Sequence, residues 1–178
     1  MRVFFALEPD TATAIRVATW RDRQLSGTGT PVPLANFHIT LTFVGAVNDQ
    51  ALERLCLSVD EWTSRAALTG ATLTFDHTGF WPKPGIYWLG AQNWPEQLTR
   101  LAQKLTNLAG AVGAKRDRKP FQPHITLYRN CFEAPPAPVK PPLINLDYRH
   151  FSLFESRAGK SGVSYHPLQD WELLRPAN

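Results

Sequence analysis

NFHITLTF at residues 36–43 and QPHITLYR at residues 122–129 share the tetrapeptide His-Ile-Thr-Leu, at 38–41 and again at 124–127. The chain has only five histidines, and two of them open identical tetrapeptides. The repeat therefore calls for a structural reading. In an extended chain, successive side chains alternate between two faces. His38, Thr40 and Thr42 are expected on one face of a strand, with Ile39, Leu41 and Phe43 on the other. His124 and Thr126 are set against Ile125 and Leu127 in the same way. Each strand thus has an apolar face for a core and a second face that pairs an imidazole with a hydroxyl.

The elements around the two motifs follow from local signals. RVFFAL at 2–7 reads as a first strand, and Pro9 and Asp10 start a helix near 10–24 that GTGTPVP breaks. Asn48-Asp49 opens a second helix over about 48–66, with Leu52, Leu55, Cys56, Val59 and Trp62 at three- and four-residue spacings. ATLTFDHTGFW and GIYWLGA flank PKPG as a hairpin, and Pro95-Glu96 opens a third helix reaching about Gly113. Strands near 143–156 and 162–174, joined around AGKSG, close the chain. The order β-α-β-α-β-β-α-β-β-β with mainly antiparallel strands is an α+β arrangement. In each half a strand beginning His-Ile-Thr-Leu follows a helix or loop. A duplicated, bilobal fold would bring the two strands together with their histidines facing one groove.

Bulk properties fit a single domain over 1–178. Hydrophobic residues make up 43% of the chain, enough for one core. Fifteen prolines gather at 31–33, 82–84 and 135–142 as rigid loops. Cys56 and Cys131 have no neighbouring second ligand, so neither a disulfide framework nor a CxxC metal site is expected. The apolar run at the start reaches only Leu7, too short for a signal peptide or membrane span, which predicts a cytoplasmic protein with no membrane association. Net charge is +4, and KRDRK at 115–119 puts four cations (Lys115, Arg116, Arg118, Lys119) directly before the second motif. That run is either a solvated loop or an electrostatic funnel for a phosphate chain.

Two imidazoles, each with an ordinary pKa near ~6.5, can act as general base and general acid at one pH if one starts neutral and the other charged. In-line displacement at phosphorus needs that pair. One group takes a proton from the attacking oxygen, and the other protonates the leaving oxygen. The flanking hydroxyls can donate to the non-bridging oxygens, where charge accumulates. A metal site would need a third ligand, and His-x-Thr supplies one per strand with no Asp or Glu nearby, so no metal or cofactor is expected. His77, His150 and His166 lack the arrangement and read as structural or surface residues.

Two His-x-Thr-hydrophobic motifs 86 residues apart resemble the 2H phosphoesterase superfamily. The flanks NFHITLTFVG and PFQPHITLYR are similar to its RNA 2′,3′-cyclic phosphodiesterase branch, also called the 2′-5′ RNA ligase family. RVFFAL, GFWPKPGIYWLG and YHPLQDWEL extend the resemblance over nearly the whole chain. It implies two antiparallel sheets around a central groove, helices outside, and hydrolysis of a terminal 2′,3′-cyclic phosphate to a 2′-phosphate. By that resemblance His124 is the proton acceptor that activates water and His38 the proton donor to the 3′ oxygen. Thr40 and Thr126 hold the phosphate, and Arg129 matches the basic residue that ends the second motif.

The residues alone leave several points open. Local sequence does not order the two histidine roles. Strict alternation points Arg129 toward the apolar face, so a substrate role for it requires the strand to end or bulge near Tyr128. Phe80, Trp81 and Tyr87 are candidates for stacking on a base. The expected partner is an RNA with a 2′,3′-cyclic phosphate end, or a nucleoside 2′,3′-cyclic phosphate, acted on by a monomer with or without reversible ligation. The rival readings are an esterase of small cyclic nucleotides or ADP-ribose cyclic phosphate, and a non-catalytic module that binds RNA ends.

Overall fold

A computed structural model describes residues 1–26, 29–117, 119–160 and 162–175, and two of the helices there begin where a side chain satisfies a free amide. α1 (Thr11–Gln24) starts at Asp10, whose carboxylate accepts the Thr13 N–H at 2.9 Å. α2 (Asp49–Arg65) starts at Asn48, which accepts the Ala51 N–H at 2.8 Å, and buries Leu55 and Val59. α3 (Glu96–Ala111) follows Pro95 and buries Leu98, Leu101 and Leu105 at helical spacing. A single 3-10 turn at Leu34–Asn36 leads into the first motif.

Among the described residues, ten strands form three antiparallel groups. The first sheet has the order β10-β9-β1-β3, made of β10 (Gly162–Glu172), β9 (His150–Gly159), β1 (Arg2–Leu7) and β3 (Ile39–Ala46). The second has the order β2-β7-β6-β5, made of β2 (Thr30–Pro31), β7 (His124–Arg129), β6 (Ile86–Gly90) and β5 (His77–Trp81). β4 (Ala71–Phe75) and β8 (Ile144–Tyr148) pair by themselves. This is the expected α+β class, but the sheets do not divide the chain into halves. The C-terminal β9 and β10 return to complete the N-terminal sheet, while β2 joins the other.

Two expected strands are each divided. The run 71–81 breaks at Asp76, whose N–H donates to Gly90 O at 3.0 Å while its carboxylate accepts the Gln92 N–H at 2.9 Å. β4 and β5 therefore belong to different groups, and only β5 forms the hairpin with β6. The run 143–156 breaks at Arg149, whose carbonyl accepts from Leu173 N–H at 2.8 Å. In both cases hydrogen bonds to remote backbone redirect an extended chain that sequence alone reads as continuous.

One continuous core joins both sheets, with Phe5, Leu7, Ile39, Phe75, Leu89 and Ile125 fully buried. Burying such side chains stabilises the fold by roughly 1.5–3 kcal/mol each. α3 covers β3, and its Thr106 hydroxyl donates to Thr42 at 2.9 Å. The buried Arg21 of α1 donates to Val32 O at 2.6 Å and lies 5.5 Å from the Phe37 ring and 5.7 Å from that of Tyr128. It ties the approach to the first motif onto the strand carrying the second. Cys56 and Cys131 are free thiols. Among the described residues no helix is long and apolar enough to cross a membrane.

Candidate active site

His38 stands immediately before β3 and His124 is the first residue of β7. Both are held the same way. His38 Nδ1 lies 2.8 Å from Asn36 O, and His124 Nδ1 lies 2.7 Å from Gln122 O. A carbonyl oxygen can only accept, so Nδ1 carries the proton in each ring and Nε2 is left to face reactants. In both motifs the residue two before the histidine supplies that carbonyl, which is the structural content of the repeat.

Aromatic rings fix the orientation of each imidazole. His38 packs 5.1 Å from Phe4 and 4.7 Å, edge-on, from Tyr165. His124 packs 4.6 Å from Trp81 and 5.9 Å from Trp88. Trp88 lies over Gly79 and Gly90, where an added Cβ would overlap its indole. Burial pushes His38 from 6.5 down to about 4, against the bond to Asn36 and aided by the positive charges of Arg129 and His124. His124 is lowered first by burial, against its bond to Gln122, and then by Arg129. In the unliganded protein both imidazoles are therefore neutral at neutral pH. Arg129 lies close enough to both rings to lower them, and β3 touches β7, so the two histidines and the guanidinium lie near one another.

Strict alternation fails in both motifs at the same place. β1 pairs Ala6 with Thr40 but Phe5 with Thr42, which makes Leu41 a bulge. β6 pairs Trp88 with Thr126 but Tyr87 with Tyr128, which makes Leu127 a bulge. The expected placement of Thr42 beside His38 and of Phe43 toward the core is thereby overturned. Thr42 turns inward to Thr106, and Phe43 is 65% exposed on the groove face, 6.1 Å from Phe4. Beyond the second bulge Tyr128 is buried against Tyr87, and Arg129 is exposed toward the groove. This is the bulge that a substrate role for Arg129 requires.

Thr40 and Thr126 keep their expected faces, half-buried two residues after each histidine. Of the three aromatic candidates, Tyr87 is buried with its hydroxyl on Thr78 at 3.1 Å, and Phe80 packs on the core, so neither can stack on a base. Trp81 is on the groove face but serves His124. Phe43 is the exposed aromatic that sequence reading missed, since nothing local marks the bulge before it. His77, read as structural or surface, is on the groove face beside Trp88 at 5.4 Å. His166 Nε2 lies 3.0 Å from Ser164 Oγ on β10, and His150 opens β9. Lys115, Arg116 and Lys119 are exposed, with Arg116 donating to Asn107 at 2.9 Å; Arg118 lies outside the described residues. Among the described residues no three His, Cys, Asp or Glu side chains converge as metal ligands.

The chain is similar in sequence and in fold to proteins of one family. The profile of the 2′-5′ RNA ligase superfamily matches residues 9–153. The RNA 2′,3′-cyclic phosphodiesterase of Escherichia coli is 34% identical over 177 residues, covering 98% of this chain and 97% of that protein. The Thermus thermophilus protein of the same name is 31% identical over 190 residues, covering 97% and 90%. Among solved structures, E. coli LigT complexed with 3′-AMP superposes with a TM-score of 0.86 at 32% identity, covering 97% of each chain. LigT complexed with phosphate gives 0.80 at 30% identity, covering 97% of this chain and 96% of that one.

Proposed function

Because this chain belongs to the 2′-5′ RNA ligase superfamily, we propose that it opens the terminal 2′,3′-cyclic phosphate of an RNA by two-histidine acid/base catalysis, leaving a 2′-phosphate. The observation that carries the reading is the pair of identically held imidazoles, each with Nδ1 on a carbonyl and Nε2 available, in one groove with Arg129. The near-full-length likeness to relatives named for this reaction supports it.

Neutral His124 accepts a proton from water through Nε2 as the water oxygen bonds to phosphorus. His38, protonated, gives its Nε2 proton to the departing 3′ oxygen as the P–O3′ bond breaks. The Thr40 and Thr126 hydroxyls donate to the non-bridging oxygens, and the Arg129 guanidinium offsets their charge. In the unliganded site the acid is held near 4 by burial. An anionic cyclic phosphate in the groove favours the charged imidazole, so substrate binding itself loads the proton that the leaving group needs. With the 5′ hydroxyl of a second RNA in place of water, the same displacement joins the two. His124 accepts the hydroxyl proton as its oxygen bonds to phosphorus, His38 protonates O3′ as P–O3′ breaks, and a 2′-5′ linkage forms. Phe43 offers the exposed ring for the base. Both half-sites come from one chain, which supports a monomer, and two unpaired thiols suit the cytoplasm.

The test is incubation, in chelator, with a nucleoside 2′,3′-cyclic phosphate and with a short RNA ending in one, followed by phosphorus NMR. The expected product from wild type is a 2′-phosphate, with none from His38→Ala or His124→Ala. A product with either variant at wild-type rate would remove the mechanism. Turnover of the nucleoside but not the RNA would favour a small-nucleotide esterase, a reading that the 3′-AMP complex of LigT makes specific.

A further inference from the structure

The proposed mechanism uses two of the three imidazoles on the groove face. The third, His77, lies on β5, the outer strand of the second sheet. His124 pairs with Gly90 and Gly90 with His77, so the two histidines end one row across three strands. Two inter-strand steps put their Cα atoms about 10 Å apart. Gly90, between them, leaves room for the Trp88 indole. Both imidazoles stand steeply on that single indole, His77 at 5.4 Å and 80°, His124 at 5.9 Å and 61°.

His77 is also oriented by a carboxylate. Its Nδ1 lies 3.1 Å from Asp76 Oδ1, and Asp76 is itself fixed by the Gln92 N–H at 2.9 Å. The side chain is 28% exposed, and its Nε2 has no hydrogen-bond partner among the described residues. An imidazole set by a carboxylate on one nitrogen and open to a groove on the other is arranged to meet an anion. Its Nδ1 faces the Asp76 carboxylate, and its Nε2 is left to meet a phosphate.

We propose that Asp76 and His77 form a second phosphate subsite, which takes the internucleotide phosphate next to the cyclic end and so selects an RNA strand over a mononucleotide. The inference rests on the cyclic phosphodiesterase reading. A span of about 10 Å between the histidine backbones suits two phosphates separated by one nucleoside, one at His124 and the next at His77. Asp76 acts through His77 and is a positioning residue.

The measurement is kcat/KM for a dinucleotide ending in a 2′,3′-cyclic phosphate, divided by that for the matching nucleoside cyclic phosphate. In His77→Ala this ratio is expected to fall about tenfold, through KM, as for loss of one charge-assisted hydrogen bond. His77→Lys, which restores a cation, recovers most of it. A dinucleotide with a neutral methylphosphonate in place of the internucleotide phosphate is turned over by wild type at the lowered ratio, and His77→Ala lowers it no further. An unchanged ratio in His77→Ala, or an equal fall with the methylphosphonate, overturns the subsite while leaving the phosphodiesterase reading intact. Wild type that turns over neither substrate overturns that reading and the subsite with it.

Discussion

The two His-Ile-Thr-Leu strands are alike up to the leucine and differ after it. Both histidines bond the carbonyl two residues back, both threonines keep the groove face, and both leucines bulge. Each bulge turns the fourth residue after the histidine inward, Thr42 and Tyr128, and the fifth outward, Phe43 and Arg129. The same backbone device thus presents an aromatic ring on one side of the groove and a guanidinium on the other. A phosphate needs the cation and a base needs the plane. On the proposed mechanism the shared geometry does the chemistry, and the differing fifth positions divide substrate recognition between the two sides of the groove.

The likeness of the two halves breaks most visibly at the histidines. His38→Ala and His124→Ala are each expected to lower kcat by about 10²–10⁴ with the melting temperature nearly kept. The double variant should be little worse than either single one, because the proton transfers act as a unit. Pre-steady-state and steady-state turnover of a nucleoside cyclic phosphate would check this, and a single variant with near-wild activity would mean the halves are not equivalent.

The fifth positions should separate next. Arg129→Ala is expected to cost about 10–100-fold in kcat/KM for any cyclic phosphate, since it removes charge from the reacting group. Phe43→Ala should cost less, about tenfold or under, and mainly in KM, with a dependence on the identity of the base. Kinetics on a purine and a pyrimidine substrate would sharpen the contrast. Equal effects of the two substitutions on kcat would erase it.

Support under the two rings also differs. Gly90→Ala puts a methyl into the Trp88 indole and is expected to destabilise the fold by about 1–3 kcal/mol, displacing His124 but not His38. Thermal unfolding with imidazole NMR shifts would resolve which ring moves. The smallest effect is in pH. His38 is lowered in the free protein to about 4, so its acid form is lost as pH rises through that value. Bound phosphate raises it. The alkaline limb of kcat should therefore lie at higher pH than that of kcat/KM. Coincident limbs would mean that substrate does not load the acid. The same depression makes folding stability fall as pH drops from 6.5 toward 4, and His38→Gln should flatten that fall.

Much of the site was legible because its signals are short-range. A helix cap depends on residues three apart, so Asp10 and Asn48 mark α1 and α2 in the sequence itself. Alternation over His-Ile-Thr holds for the same reason, since it spans only three residues before the bulge. Sequence determined the three helices, the imidazole-hydroxyl faces and the chemistry they permit. Tertiary structure decided which strands share a sheet, where 71–81 and 143–156 divide, and that Phe43, Arg129 and His77 reach the groove. Those outcomes depend on register, and register is set by hydrogen bonds to strands distant in sequence: β1 opposite β3, β6 opposite β7, and β5 opposite β6. One skipped residue in such a ladder reverses every side chain beyond it, and the bulged chain carries no local mark of the partner that forces the skip.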